Sequence, residues 1–139
     1  MQDHDVVGIG NAIVDIIGRC DDAFLARHGR SKGSMQLVDA AAIGTLYAAM
    51  GPGVEISGGS VANTMAGVAS FGGQAGFIGK TAKDQFGQVF SHDIRAAGVT
   101  FTTPAAAERS DPTGRCLVLV TPDGQRTMST FLGVNPQLG

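Results

Sequence analysis

Val6-Val7-Gly8-Ile9-Gly10 is a short, continuous apolar run. A run of that length between polar flanks predicts a strand covered on both faces. Residues 12–20, Ala-Ile-Val-Asp-Ile-Ile-Gly-Arg-Cys, predict a second extended piece, with Asp15 as its one charged interior position. Asp21 and Asp22 then cap a short predicted helix through His28, ended by Gly29. Residues 34–38 predict a strand. Asp39 caps a helix running to Met50, stopped by Gly51-Pro52-Gly53. Residues 54–57 predict another strand.

Gly58-Gly59-Ser60 opens a helix to Phe71, with Ser60 as a fair N-cap. Val61, Met65 and Val68 fall on one face at helical spacing. Ala62, Ala66, Gly67 and Ala69 are small, so this helix can lie close to a sheet. Residues 75–79 predict a buried strand, Asp84 starts a helix to Ala97, and residues 99–102 predict a further strand. The last part changes character. Residues 115–121 and 125–131 are two β-rich runs joined by Thr121-Pro122-Asp123-Gly124, a turn signal that predicts an antiparallel hairpin. The expectation is an α/β fold: a parallel-sheet core with a small extra β-sheet around residues 12–20, 34–38, 54–57 and 113–132.

Composition narrows the function class. At 139 residues the chain fits one ordinary domain or part of a larger one, and 43% hydrophobic residues can build a core. The formal net charge is -2 and no basic run occurs, which argues against nucleic acid as a partner. Residues after Val6 are interrupted by Asn11 and Asp15, so the start is neither a signal peptide nor a membrane span. A cytoplasmic protein without a membrane partner is expected. Cys20 and Cys116 have no metal spacing, and His4, His28 and His92 are scattered. Two reduced thiols and no metal site are expected.

Two glycine-rich stretches invite a nucleotide-binding reading, and both miss the pattern. Gly72 to Thr81 reads GGQAGFIGKT, yet a phosphate loop needs a glycine at position 74, where Gln stands. Gly8-Ile9-Gly10-Asn11-Ala12-Ile13 lacks the third glycine of a dinucleotide fingerprint, and the residues after it are extended rather than helical in character. Asp15 has two readings: a residue on the wet face of an alternating strand, or a carboxylate that accepts hydrogen bonds from two vicinal hydroxyls. Gly58-Gly59-Ser60-x-x-Asn63 is either a plain turn and cap or a close backbone approach to a ligand, with Asn63 offering donor and acceptor to a polyol.

Taken together, these residues resemble the ribokinase-like carbohydrate kinases, the PfkB family. Gly58 to Thr64, Gly72-Gly73, Phe77-Ile78-Gly79-Lys80 and Asp84-Gln85-Phe86-Gly87 are similar, in order and spacing, to that family's first signature. Gly10 to Ile16 resembles its N-terminal sugar-binding motif. Thr113 to Cys116 and Gln125 to Met128 resemble its lid hairpin. Asn11 beside Asp15, Gln36 and Asp123 to Arg126 look most like the adenosine kinase branch.

The resemblance implies a ribokinase-like core with a small β-sheet lid, and transfer of the γ-phosphate of ATP, with Mg²⁺, to a primary hydroxyl of adenosine or a related nucleoside or sugar. It implies that Asp15 binds the ribose hydroxyls, that Gly59 and Asn63 complete the sugar site, and that Asn11, Gly58 and Ser60 line it. Ile13, Gln36, Val38, Cys116, Met128 and Thr130 would lie near the base. Arg126 would reach the transferring phosphate, which fits electrostatic catalysis. Ala82 stands where the family usually has glycine. The family's catalytic base is the Asp of a Gly-Ala-Gly-Asp motif, and no such motif occurs here. The expectation is therefore an N-terminal portion with substrate site and lid, without the base or most of the ATP site, and without turnover by itself. Lids of this family sometimes pair, so a homodimer is a possible assembly. Alternatives left open are a ribose, fructose or 2-keto-3-deoxygluconate kinase, an inosine/guanosine kinase, or a non-catalytic ligand-binding module.

Overall fold

The computed structural model describes residues 3–107 and 111–138. The chain divides into two compact units: Met1–Val14, Ile56–Gly114 and Leu132–Gly139 form the first, Asp15–Glu55 and Arg115–Phe131 the second.

In the first unit, strands β1 (Val6–Ile9) and β5 (Ala75–Ile78) pair in parallel, with Val6 opposite Ala75 and Ile9 opposite Ile78. Helix α3 (Ser60–Ser70) packs on them. The glycines of the first strand make room for it. A Cβ at Gly8 would lie 2.6 Å from Val61 Cγ1, and one at Gly10 would lie 2.8 Å from Val61 Cβ. The Gly-x-Gly of the first strand therefore admits a helix rather than a phosphate. Two of the four GGQAGFIGKT glycines are explained in the same way: a Cβ at Gly73 would meet Val68 and one at Gly79 the Phe77 ring.

Helix α4 (Gln85–Ala96) buries Phe90 and Ile94. Phe90 meets Phe77 and Phe101 at ring-centroid distances of 5.7 and 5.3 Å, the second edge-on, the preferred geometry for aromatic pairs. Asp84, expected to start this helix, is instead the N-cap before it; its Oδ1 accepts from Gly87 N at 2.8 Å. The strand expected at 99–102 does not form. Only Thr100 bridges Gly76, and Val99 and Phe101 instead bury their side chains in the core.

The second unit is built on a five-stranded sheet in the order β3-β7-β6-β2-β4. Its strands are β2 (Ile13–Arg19), β3 (Met35–Leu37), β4 (Val54–Gly58), β6 (Gly114–Val120) and β7 (Arg126–Phe131). Strands β6 and β7 form the antiparallel hairpin, closed by Gly124 N donating to Thr121 O at 2.8 Å, with Gly124 at φ 83. Strand β3 pairs with β7 in parallel. Helix α1 (Asp22–Arg27), capped by Asp21, buries Phe24 and Leu25; α2 (Ala40–Ala49), capped by Asp39, buries Ile43 and Leu46 and packs against β7. Both cysteines are free. No helix among the described residues is long and apolar enough to cross a membrane.

Candidate substrate-binding site

Five of the expected site residues, Asn11, Gly58, Gly59, Ser60 and Asn63, lie in the first unit. Gly58 ends β4 and is buried. Gly59, not Ser60, is the N-cap of α3: it stands at φ 94, ψ 136, and Ser60 is the first helical residue. The reason is steric. A Cβ at Gly59 would lie 2.5 Å from the Asn11 carbonyl oxygen, so the chain turns here only without a side chain. Asn11 and Gly59 are thereby brought together. No side chain caps α3, so the first-turn N–H groups have no side-chain acceptor. Asn63 sits in that first turn with its side chain exposed, its own N–H donating to Gly59 O at 2.9 Å. Asp93 of α4 steadies the approach: its Oδ2 accepts from Ser57 N at 3.0 Å, directly before Gly58. The combination is a turn with free polar donors and an amide side chain, held from two sides. It can bind neutral polar groups such as hydroxyls.

The other expected residues, Asp15, Gln36, Cys116, Arg126, Met128 and Thr130, lie in the second unit. Asp15 alternates with the fully buried Val14 and Ile16, so it faces away from that side of the sheet. It is half-buried, and burial alone pushes its carboxyl above the usual 3.8. Among the described residues its carboxylate has no hydrogen bond or ion pair. Such a carboxylate keeps a desolvation cost that a ligand's hydroxyl donors can offset.

Cys116 lies on β6 opposite Thr130 of β7, whose hydroxyl donates to its sulfur at 3.4 Å. Burial pushes the Cys116 thiol up, opposed by the Thr130 hydrogen bond and reinforced by the nearby Asp15 charge. Arg126, Met128 and Thr130 alternate along β7 and so share one face. Arg126 is exposed at the hairpin end, opposite Val120. Ile13 is buried at the start of β2, and Val38 follows β3, its N–H donating to Thr130 O at 2.9 Å.

Gln36 is the one member of this group that the sheet does not bring together with the rest. It pairs with Ser129, whereas Met35 pairs with Met128 and Leu37 with Thr130. Gln36 is thus on the Ser129 face, and Met35 and Leu37 join Cys116, Met128 and Thr130 on the other. Both are more than half exposed, at 55% and 64%. They are apolar candidates that sequence reasoning passes over, because a strand of three residues carries too little alternation to show which face each side chain takes.

Residues 35–138 match the description "pfkB family carbohydrate kinase". The chain belongs to this family of kinases, on a mixed α/β fold. Among solved structures it is similar to the adenosine kinase from Sinorhizobium meliloti, with 54% identity and a TM-score of 0.89, covering 98% of this chain and 41% of that one. It is also similar to a probable sugar kinase from Rhizobium etli, at 48% identity and a TM-score of 0.89, covering 100% and 42% of the two chains. An adenosine kinase from Schistosoma mansoni in complex with 2-fluoroadenosine aligns at 25% identity and a TM-score of 0.80, over 93% and 38%. The chain thus spans about four-tenths of the length of these relatives. A search of curated proteins returns no match.

Proposed function

We propose that this chain carries the acceptor-binding part of an ATP-dependent kinase that phosphorylates a primary hydroxyl of a nucleoside, with adenosine as the substrate and AMP as the product. The observation that carries the reading is Asp15: a half-buried carboxylate with no partner among the described residues, raised by burial. A ribose presents two adjacent hydroxyl donors, which is what such a carboxylate lacks. Within the first unit, Asn63 and the amides around Gly59 are read as groups that hold sugar hydroxyls, with Asn11, Gly58 and Ser60 lining that region. Holding the diol fixes the primary hydroxyl, and orientation of this kind lowers the barrier to its attack.

The five-stranded sheet is read as a lid. Cys116, Met128, Thr130, Met35 and Leu37 would offer its apolar side to the base. Arg126 is read as the group that reaches from the hairpin toward the transferring phosphate, where a fixed cation stabilises developing charge. Family membership implies ATP as donor of the phosphoryl group, with Mg²⁺ neutralising its charge. The residues assigned here all belong to the acceptor side. The base expected in a Gly-Ala-Gly-Asp motif does not occur in these 139 residues, so the reading assigns binding, not turnover, to the chain itself.

A second reading, a sugar kinase, is favoured by the similarity to the probable sugar kinase from Rhizobium etli. Isothermal titration calorimetry separates the two. Adenosine should bind more tightly than ribose, and Asp15→Ala should abolish binding of either. Adenosine binding that survives Asp15→Ala would sink the site assignment. Tighter binding of ribose or fructose than of adenosine would replace the nucleoside with a sugar.

A further inference from the structure

The backbone of Ala12, between Asn11 and Asp15, is held by a side chain from far along the chain. Asn135 Oδ1 accepts from Ala12 N at 2.7 Å, and Asn135 Nδ2 donates to Ala12 O at 3.1 Å. The same Nδ2 donates to Leu132 O at 2.7 Å. These partners fix which end of the amide is which, because an N–H needs an acceptor and two carbonyls need donors. Asn135 is 6% exposed and Ala12 fully buried, so the bonds are shielded from water. From another side Gly114 closes on the amide: a Cβ there would lie 2.6 Å from Asn135 Nδ2 and 2.8 Å from Leu132 O.

Ala12, Gly114 and Leu132 all lie in the first unit, and each is at or near a point where the chain passes to or from the second: after Val14, after Gly114 and before Leu132. One buried amide thus gathers three of those approaches. Ala12 also follows Asn11, whose carbonyl leaves no room for a Cβ at Gly59.

We infer that Asn135 is a positioning residue for substrate: by holding both backbone groups of Ala12 it sets where Asn11 meets Gly59 and where β2 begins its run to Asp15. It touches no substrate itself. The inference rests on the nucleoside-binding reading given above.

Asn135→Asp tests it in the full chain. The carboxylate keeps the shape and still accepts from Ala12 N, but it cannot donate to the Ala12 and Leu132 carbonyls. Adenosine affinity, measured by calorimetry on folded protein, should fall at least about tenfold. Amide hydrogen exchange across residues 11–15 should rise by a similar factor. Gly114→Ala, which crowds the amide from its other side, should act in the same direction and serves if Asn135→Asp does not fold. Val134→Ala, a buried neighbour, should lower thermal stability and leave affinity unchanged. Normal adenosine affinity in the folded Asn135→Asp or Gly114→Ala protein overturns the inference, as does an equal affinity loss in Val134→Ala at matched stability. If the unsubstituted chain binds neither adenosine nor ribose, the nucleoside reading fails and the substrate role falls with it. Exchange across residues 11–15 still decides the hold on Ala12, and unchanged exchange in Asn135→Asp overturns that as well.

Discussion

Asp84 and Thr113 are joined by two hydrogen bonds: Asp84 Oδ2 accepts from Thr113 N at 2.9 Å, and Asp84 Oδ1 accepts from the Thr113 hydroxyl at 2.7 Å. The same Oδ1 caps α4 through Gly87 N, and the Thr113 oxygen accepts from Ala82 N at 2.8 Å. One carboxylate therefore ties the start of a helix to the residue before β6. Asp84→Ala removes all three of its bonds and leaves the fully buried Thr113 short of a partner. The expected cost is roughly 2 kcal/mol or more, read as a lower urea midpoint at unchanged slope.

Gly59→Ala forces a side chain into φ 94 and against the Asn11 carbonyl. Strain of this kind costs about 1–3 kcal/mol. Gly72→Ala is the control, since Gly72 stands at φ 90 with open space where its Cβ would lie. Thermal melts should place Gly59→Ala well below Gly72→Ala. Equal melting temperatures would mean that the Asn11 contact contributes nothing.

Asp15→Asn should stabilise the protein near neutral pH while weakening nucleoside binding at least about tenfold. The folded carboxyl titrates above 3.8, so between 3.8 and the raised value the folded state holds more proton than the unfolded one. Stability then falls as pH rises through that window. The substitution removes the fall. Melting temperature against pH, compared for the two proteins, should converge in acid, separate through that window and stay a constant distance apart above it.

Asp123 should titrate near pH 2 in carboxyl-detected NMR. The Lys32 ammonium, 2.7 Å away, and the Thr121 hydroxyl hold its carboxyl down to about 2. Its contribution is present above the usual 3.8 and lost as pH falls toward 2. Lys32→Ala should return the midpoint toward the ordinary carboxylate range. The pair is exposed, so high salt should have a similar effect and stability should barely change.

Caps and turns were legible because each is written within a few residues. Asp21 and Asp39 cap the helices they were expected to cap, Asp84 caps the helix it was expected to start, and Thr121 to Gly124 closes the hairpin. Strand 99–102 was not legible, since pairing depends on a partner and there only Thr100 finds one. The Gly-Gly-Ser-x-x-Asn turn could be read as a ligand approach from residue type. Its cap could not, because it is the Asn11 carbonyl, remote in sequence, that requires glycine at position 59. The side to which Gln36 belongs was hidden for a related reason. A three-residue strand is too short to reveal its alternation, and a shift of one residue reverses the face.

Gly8 and Gly10 leave the space that Val61 fills. None of the three positions can drift alone: a methyl gained on the strand requires one lost from the helix. Across relatives they should be inherited as a matched set, with small strand residues travelling with a branched residue at 61. A glycine pair of this kind is the record of a neighbour's bulk, and its ancestry is to be traced through Val61.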